Sequence, residues 1–259
     1  MIIDVNVSLS RWPFRRLVGD ETADLVARLR KHGVGRAWAA SFGAILYKDI
    51  GDSNARLAAE CRTHGKDFLL PFGTVNPKLP DWQEDLRRCH EDYRMPGIRL
   101  YPNYHGYDLR DPAFAELIKL AAARRLIVQI ALCMEDERTQ HPLLHVPPVD
   151  CAPLPEVLKR EPTLRLVLIN CGPAIRGHQL ESVLAAGEAY CDISMVEGIE
   201  GIARLVERFS PQKVLFGSDF PFFYFESALL KMRESGLPES TKNALEEGNA
   251  RRLLDSVAT

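Results

Sequence analysis

The chain has 259 residues, 46% hydrophobic and 26% charged, with 33 Lys and Arg against 35 Asp and Glu and a formal net charge of −2. That near balance excludes the basic excess that general binding to nucleic acid or to an anionic membrane requires. The composition also excludes a disordered or fibrous chain, and no apolar run approaches the roughly 20 residues of a membrane span.

In chain order, short apolar runs alternate with longer amphipathic segments. The first run, Ile2–Val7, precedes a helix over Asp20–His32 that Gly33 stops. The second, Gly35–Ser41, precedes a helix over Ser53–His64 that Gly65 stops. In both, a histidine near the helix end favours the negative end of the dipole. Phe68–Val75 leads to a helix over Asp81–Tyr93, and Gly97–Tyr101 to one over Pro112–Arg124. Leu126–Cys133 is followed by a helix over Leu154–Arg160, and Leu164–Asn170 by one over Gly177–Ala186. Ala189–Ser194 is followed by Ile199–Phe209, and Lys213–Gly217 by Glu226–Ser235. A last helix spans Glu239–Leu254.

Eight strand-then-helix units result. Runs such as Leu166-Val167-Leu168-Ile169 are continuously apolar, as parallel strands covered on both faces are. Eight repeats in about 250 residues fit a (β/α)8 TIM barrel, with an extra C-terminal helix. An open doubly wound sheet is the alternative. No GxGxxG follows a strand and no GxxxxGK[ST] occurs, which removes support from its nucleotide-binding versions. No composition shift or linker divides the chain, so residues 1–259 read as one domain.

The six cysteines are scattered without a CxxC and read mostly as small buried apolar residues. The opening Met1-Ile2-Ile3-Asp4 shows neither a basic nor a long apolar leader segment. A cytoplasmic location is expected from both features.

In a barrel, function collects at the C-terminal ends of the strands. Those ends offer Asn6 and Ser8, Arg99 and Tyr101, Gln129 and Ala131, Asn170, Asp192 and Ser194, and Asp219. Asp219 is the strongest signal: a carboxylate straight after an apolar strand, between Gly217 and Pro221. The plainer reading is an aspartate that caps the following turn or helix. The longest connection, Met134–Ala152, follows the fifth strand and carries Glu135, Asp136, Arg138, His141 and His145. Long ordered loops at that end of a barrel carry binding and catalysis.

Four stretches carry a resemblance: Ile2-Ile3-Asp4-x-Asn6-x-Ser8, Gly97-Ile98-Arg99-Leu100-Tyr101-Pro102, Leu215-Phe216-Gly217-Ser218-Asp219-Phe220-Pro221 and Gly248-Asn249-Ala250-Arg251-Arg252-Leu253-Leu254. Together they resemble the amidohydrolase-related (amidohydrolase 2) family across nearly the whole chain. The resemblance implies a (β/α)8 barrel and a divalent metal, often zinc. It also implies hydrolysis or nonoxidative decarboxylation of small carboxylates, lactones and amides.

The departures from that pattern are chemical. Asn6 and Ser8 stand where the family carries a His-x-His pair, Ala131 stands at the fifth-strand histidine and Asn170 at the sixth-strand one. Of the family's metal and catalytic positions only Asp219 matches, and none of the seven histidines falls at a ligand slot. Catalytic zinc takes three ligands from His, Asp, Glu or Cys, and amides are weak substitutes. No cofactor is therefore expected. Zinc or magnesium is the alternative, with Asp219, Asn6 and Asn170 as a weak oxygen site.

The reading that follows is an enzyme acting on a small carboxylated or sugar-derived substrate without the usual metal. Asp219 would be the acid/base, with His105 or His141 as a partner that it orients. Arg99 would hold an anion, or pair internally with an acid. Asn6, Ser8, Gln129, Asn170 and Tyr101 would bind substrate through neutral donors and acceptors. The competing reading is a non-catalytic barrel that binds a metabolite or a partner enzyme. The expected partner is a small molecule, not nucleic acid or membrane, with a symmetric homo-oligomer as the default assembly.

Overall fold

The computed structural model describes residues 1–172 and 174–258. Eight parallel strands lie in sequence order: β1 (Ile2–Leu9), β2 (Val34–Ser41), β3 (Leu69–Gly73), β4 (Gly97–Leu100), β5 (Ile127–Ala131), β6 (Arg165–Ile169), β7 (Ala189–Asp192) and β8 (Val214–Leu215). The cylinder closes where the chain after β8 returns to β1. Val5 N–H donates to Phe216 O at 2.9 Å, and Ser8 N–H to Phe220 O at 3.0 Å. This is the expected (β/α)8 barrel.

Among the described residues twelve α-helices surround the sheet: α1 (Thr22–Lys31), α2 (Gly43–Leu46), α3 (Ile50–Gly65), α4 (Trp82–Glu91), α5 (Pro102–His105), α6 (Pro112–Ala123), α7 (Leu154–Arg160), α8 (Gly177–Ala185), α9 (Gly201–Phe209), α10 (Phe225–Glu234), α11 (Glu239–Asn243) and α12 (Asn249–Ala258). Local chemistry sets their ends. Asp111 caps α6 by accepting from Ala113 N–H at 2.9 Å, and Pro112 occupies the first turn, where its missing donor costs nothing. No helix among the described residues is long and apolar enough to cross a membrane.

Two apolar layers follow from the pleat. Ile98, Leu100, Val128, Ile130, Leu166 and Leu168 pack outward against helices. Ile127, Ala131, Val167, Ile169 and Leu215 fill the interior with the stacked pair Trp38 and Phe72, whose centroids lie 4.8 Å apart. Along β4, β5 and β6 the inner residues alternate with the outer ones, which is how a barrel becomes a packed core rather than a pore.

Two segments differ from the sequence expectation. The C-terminal helix runs unbroken but widens to a π-helical turn, Ala244–Gly248, between α11 and α12. There Leu245 O accepts the Phe216 N–H at 3.0 Å, so the widened turn ties the C-terminal helices to the end of β8. β8 itself is shorter than expected, because Ser218 turns aside to bond Asp4. All six cysteines are free, and five of them are buried.

Candidate active site

The site begins with an irregularity in β1. Its pairing to β2 shifts register between Asp4 and Val7. Before the shift Ile3 and Val5 pack in the inner cluster; after it Val7 and Leu9 pack in the outer one. Asp4 holds the bulge, with Oδ1 accepting from Asn6 N–H and Ser218 N–H, both at 3.0 Å, and Oδ2 from the Ser218 hydroxyl at 2.5 Å. The shift turns Asn6 and Ser8 into the barrel.

Asn6 then meets the ends of β6 and β7. Its Nδ2 donates to Asn170 Oδ1 at 2.7 Å and to Asp192 Oδ2 at 2.9 Å. Asp192 Oδ1 accepts the Asn170 N–H at 3.0 Å. Asn170 Nδ2 donates to Cys133 O at 2.7 Å, and its Oδ1 also accepts from the Ser194 hydroxyl at 2.9 Å. The left-handed backbone of Asn170, at φ 62°, suits asparagine better than most residues. One closed, buried network thus joins strand ends from opposite sides of the barrel.

Arg99 crosses the interior beneath it and is fully buried. Its Nε donates to Gln129 Oε1 at 2.8 Å. One terminal nitrogen donates to Val7 O at 3.2 Å and Ser8 Oγ at 3.3 Å, the other to Val5 O and Trp38 O, each at 3.3 Å. Gln129 Nε2 donates to Val5 O at 2.7 Å. All five guanidinium N–H groups are therefore committed to neutral oxygens, and Arg99 serves as the fixed interior cation.

Asp219 sits above Arg99 at the end of the β8 segment, 2% exposed and left-handed at φ 56°. Burial pushes its carboxyl well above the usual carboxylate range, and Asp192 and Asp4 push the same way while Arg99 opposes them. Burial likewise raises Asp192 and takes Asp4 up to about 7. Tyr101, 1% exposed, feels both Arg99 and Asp219, with burial raising its phenol.

Buried polar atoms in folded proteins are almost always paired. Among the described residues eight buried side-chain polar atoms lack a hydrogen-bond partner; four of them, Asn6 Oδ1, Tyr101 O–H, His105 Nδ1 and Asp219 Oδ2, belong to residues the sequence singled out. Asn6 Oδ1, Tyr101 O–H and Asp219 Oδ2 lie at the C-terminal end of the barrel strands. Two are acceptors and one is a hydroxyl, a set suited to a polar ligand that both gives and receives hydrogen bonds.

A cavity of about 320 Å³ opens next to the network, lined by Cys133, Met195 and Phe223 from the ends of β5, β7 and β8. Cys133 links the two: it lines the cavity, accepts from Asn170 through its carbonyl, and has its thiol held up at about 12 by burial and by Asp219 and Asp192. The outer wall comes from the Met134–Ala152 loop, which carries a 3-10 helical turn at Glu137–Thr139 and a hydrogen-bonded turn at His141–Leu144. Glu135, Asp136, Glu137 and Glu197 line it against Arg138. Arg15 pairs with Glu135 at 2.5 Å and Arg138 with Asp136 at 2.6 Å, leaving an acidic excess.

The two candidate histidines lie apart from this network. His105, on α5, has Nε2 3.0 Å from Ala44 O and its ring edge-on to Tyr101 at 6.0 Å. Burial lowers its pKa, so it is neutral at physiological pH. His141 is exposed on the loop, stacks on Phe14 at 5.3 Å and accepts the Leu143 N–H. Trp12 is buried in an aromatic cluster with Phe14, Phe42, Tyr104 and Phe222.

Sequence reasoning left Asp4 and Lys231 out of the site and gave Asp192 no role. Lys231 reaches from α10 to donate to Ile193 O at 3.0 Å and Ser194 O at 2.6 Å, which holds the end of β7. No spacing rule predicts a lysine that serves a strand end from the next helix. Asp4 and Asp192 were visible as carboxylates in otherwise apolar strands, a pattern that signals buried charge.

The residues present do not fit a catalytic zinc. Among the described residues no group of three or more His, Cys, Asp or Glu is arranged to hold a metal ion. Asn6 turns its amide nitrogen, not its oxygen, into the network, and Asn170 Oδ1 already accepts two hydrogen bonds. Asn6 Oδ1 and Asp219 Oδ2 remain, short of the six oxygens a hard cation prefers.

The Amidohydrolase family model matches residues 15–255. No curated protein sequence matches the chain. Among solved structures, 5-carboxyvanillate decarboxylase from Sphingomonas paucimobilis is 15% identical with a TM-score of 0.76, covering 98% of each chain. A dihydroxybenzoic acid decarboxylase from Polaromonas sp., solved with bound manganese and an inhibitor, is 12% identical with a TM-score of 0.75, covering 98% of this chain and 96% of its own. A probable 2-pyrone-4,6-dicarboxylic acid hydrolase from Acinetobacter baumannii, solved with citric acid, is 13% identical with a TM-score of 0.70, covering 98% and 99%. At such identities the likeness is one of fold. The family match covers most of the chain, and the chain belongs to the amidohydrolase family.

Proposed function

We propose that this amidohydrolase-family barrel is a small-molecule hydrolase or lyase in which Asp219 moves the proton without a metal. The observation that carries the reading is the buried trio of unpartnered polar atoms, Asn6 Oδ1, Tyr101 O–H and Asp219 Oδ2. A carboxyl whose pKa is raised by burial and by Asp192 can donate a proton to a leaving group or carbanion, then recover it as a base. Tyr101 supplies an O–H for oxygen that gains charge in the transition state, and Asn6 Oδ1 receives a substrate donor. Arg99 stabilises the Asp219 carboxylate after proton transfer.

The acidic wall sorts the substrates. Glu135, Asp136, Glu137 and Glu197 outnumber Arg138 around the cavity, and an incoming carboxylate meets that excess. A sugar-derived lactone, amide or other uncharged polyol derivative does not. The relatives that decarboxylate or hydrolyse carboxylated aromatics favour the carboxylated class. The lining of this chain favours the uncharged one.

A panel of sugar lactones, amides and aromatic carboxylates, followed by product formation, tests the reading. Asp219→Asn is expected to lower kcat at least about a hundredfold with little change in ligand affinity, and Tyr101→Phe about tenfold. A second reading, ligand binding without chemistry, draws on the full saturation of Arg99 and the Asn6–Asn170–Asp192 network. Saturable binding of a panel member with no turnover would favour it.

A further inference from the structure

We propose that the opposite, N-terminal mouth of the barrel binds a phosphate-bearing small molecule. A cavity of about 480 Å³ lies there, within the range of small-molecule sites. Arg125, Arg165, Lys213 and Arg252 line it, with Glu188 as its one carboxylate. The chain as a whole carries a net charge of −2, so this concentration of cations is local.

Their partners are neutral. Arg165, the first residue of β6, points into the barrel and is 7% exposed. It donates to Ser256 Oγ at 2.5 Å and to the Arg125 carbonyl. Lys213 donates to Gly187 O at 2.9 Å and lies over the Tyr190 ring at 5.1 Å. Arg252 donates to Gln212 O at 3.1 Å. Glu188 takes the Tyr190 O–H at 2.6 Å. Among the described residues no ion pair within 4.0 Å joins any of the four cations to a carboxylate.

Two features show that the arrangement costs stability as it stands. Burial and the neighbouring Arg125 charge both lower the pKa of Arg165, the signature of a cation without its counter-ion. Arg125 follows α6 in a left-handed conformation at φ 56°, and Leu126 N–H bonds back to Ala121 O at 3.0 Å. That is the helix-ending position glycine prefers, where a side chain is strained. The N-terminal face of such barrels is ordinarily given to stability, and four like charges gathered there around a single carboxylate work against it. An anion with two or more charges would answer all four cations. Guanidinium forks are suited to phosphate oxygens.

Calorimetric titration of the full chain with pyrophosphate, at fixed ionic strength and mildly alkaline pH, tests this. Saturable binding is expected. Arg252→Gln and Arg125→Gln, both at exposed positions, should each weaken it about tenfold or more while leaving the circular dichroism spectrum unchanged. Arg165→Gln should abolish it; because that side chain is buried, the two exposed variants decide the matter if it fails to fold. Absence of saturable binding to the parent chain, or binding retained in both exposed variants, overturns the proposal.

Discussion

Asp4 shows how a single buried carboxyl couples the site to pH. It receives two backbone N–H groups and a hydroxyl, all of which favour its charged form, yet burial outweighs them and lifts it from 3.8 to about 7. Between those values the folded chain holds a proton that the unfolded chain has released. Stability therefore falls as pH rises through that window, by the order of 4 kcal/mol for this one group. Urea unfolding across the window should show the decline. In Asp4→Asn the slope should flatten without loss of fold. The amide oxygen can keep the two N–H bonds that Oδ1 accepts, and the amide nitrogen can donate to Ser218 Oγ. Asp219 and Asp192 shift in the same direction, so they add to the slope, and the mutant should retain a residue of it.

At the scale of elements, the site depends on how closely β8 passes β1 and β7. A Cβ on Gly217 would lie 2.5 Å from Asp192 Oδ2 and 3.1 Å from Asn6 Cβ. Gly217→Ala should therefore force Asp192 away from Asn6 and cost about 1–3 kcal/mol in a urea titration. Strand and helix order followed from alternating apolar runs, since each unit buries its face locally. The helix over Leu154–Arg160 falls where its pattern placed it. The bulge in β1 left no such trace. Val5, Val7 and Leu9 alternate as one face in the sequence, yet Val5 packs inward and the other two outward. The π turn between α11 and α12 was equally hidden: its Leu245 carbonyl bonds Phe216, far off in sequence.

For the molecule as a whole, the barrel carries its two kinds of charge at opposite ends. Buried carboxylates and an acidic cavity wall occupy the C-terminal end, and uncompensated cations occupy the N-terminal mouth. Asp219, Asn6 and Tyr101 could be placed at one end from strand order alone, because a barrel gathers strand ends whatever the loops do. The saturation of Arg99 could not, since three of its five donors go to backbone carbonyls of β1 and β2, which the side-chain pattern does not reveal. In the proposed reading, Asp219 moves the proton with no histidine ligand set around it. The most direct test is turnover of the chelator-treated parent chain beside chelator-treated Asp219→Asn, on whichever member of the substrate panel the parent chain converts. The account predicts that the parent chain keeps its full rate after chelation while the variant loses it. A rate that vanishes on chelation and returns with zinc or manganese, or a variant as active as its parent, would contradict it.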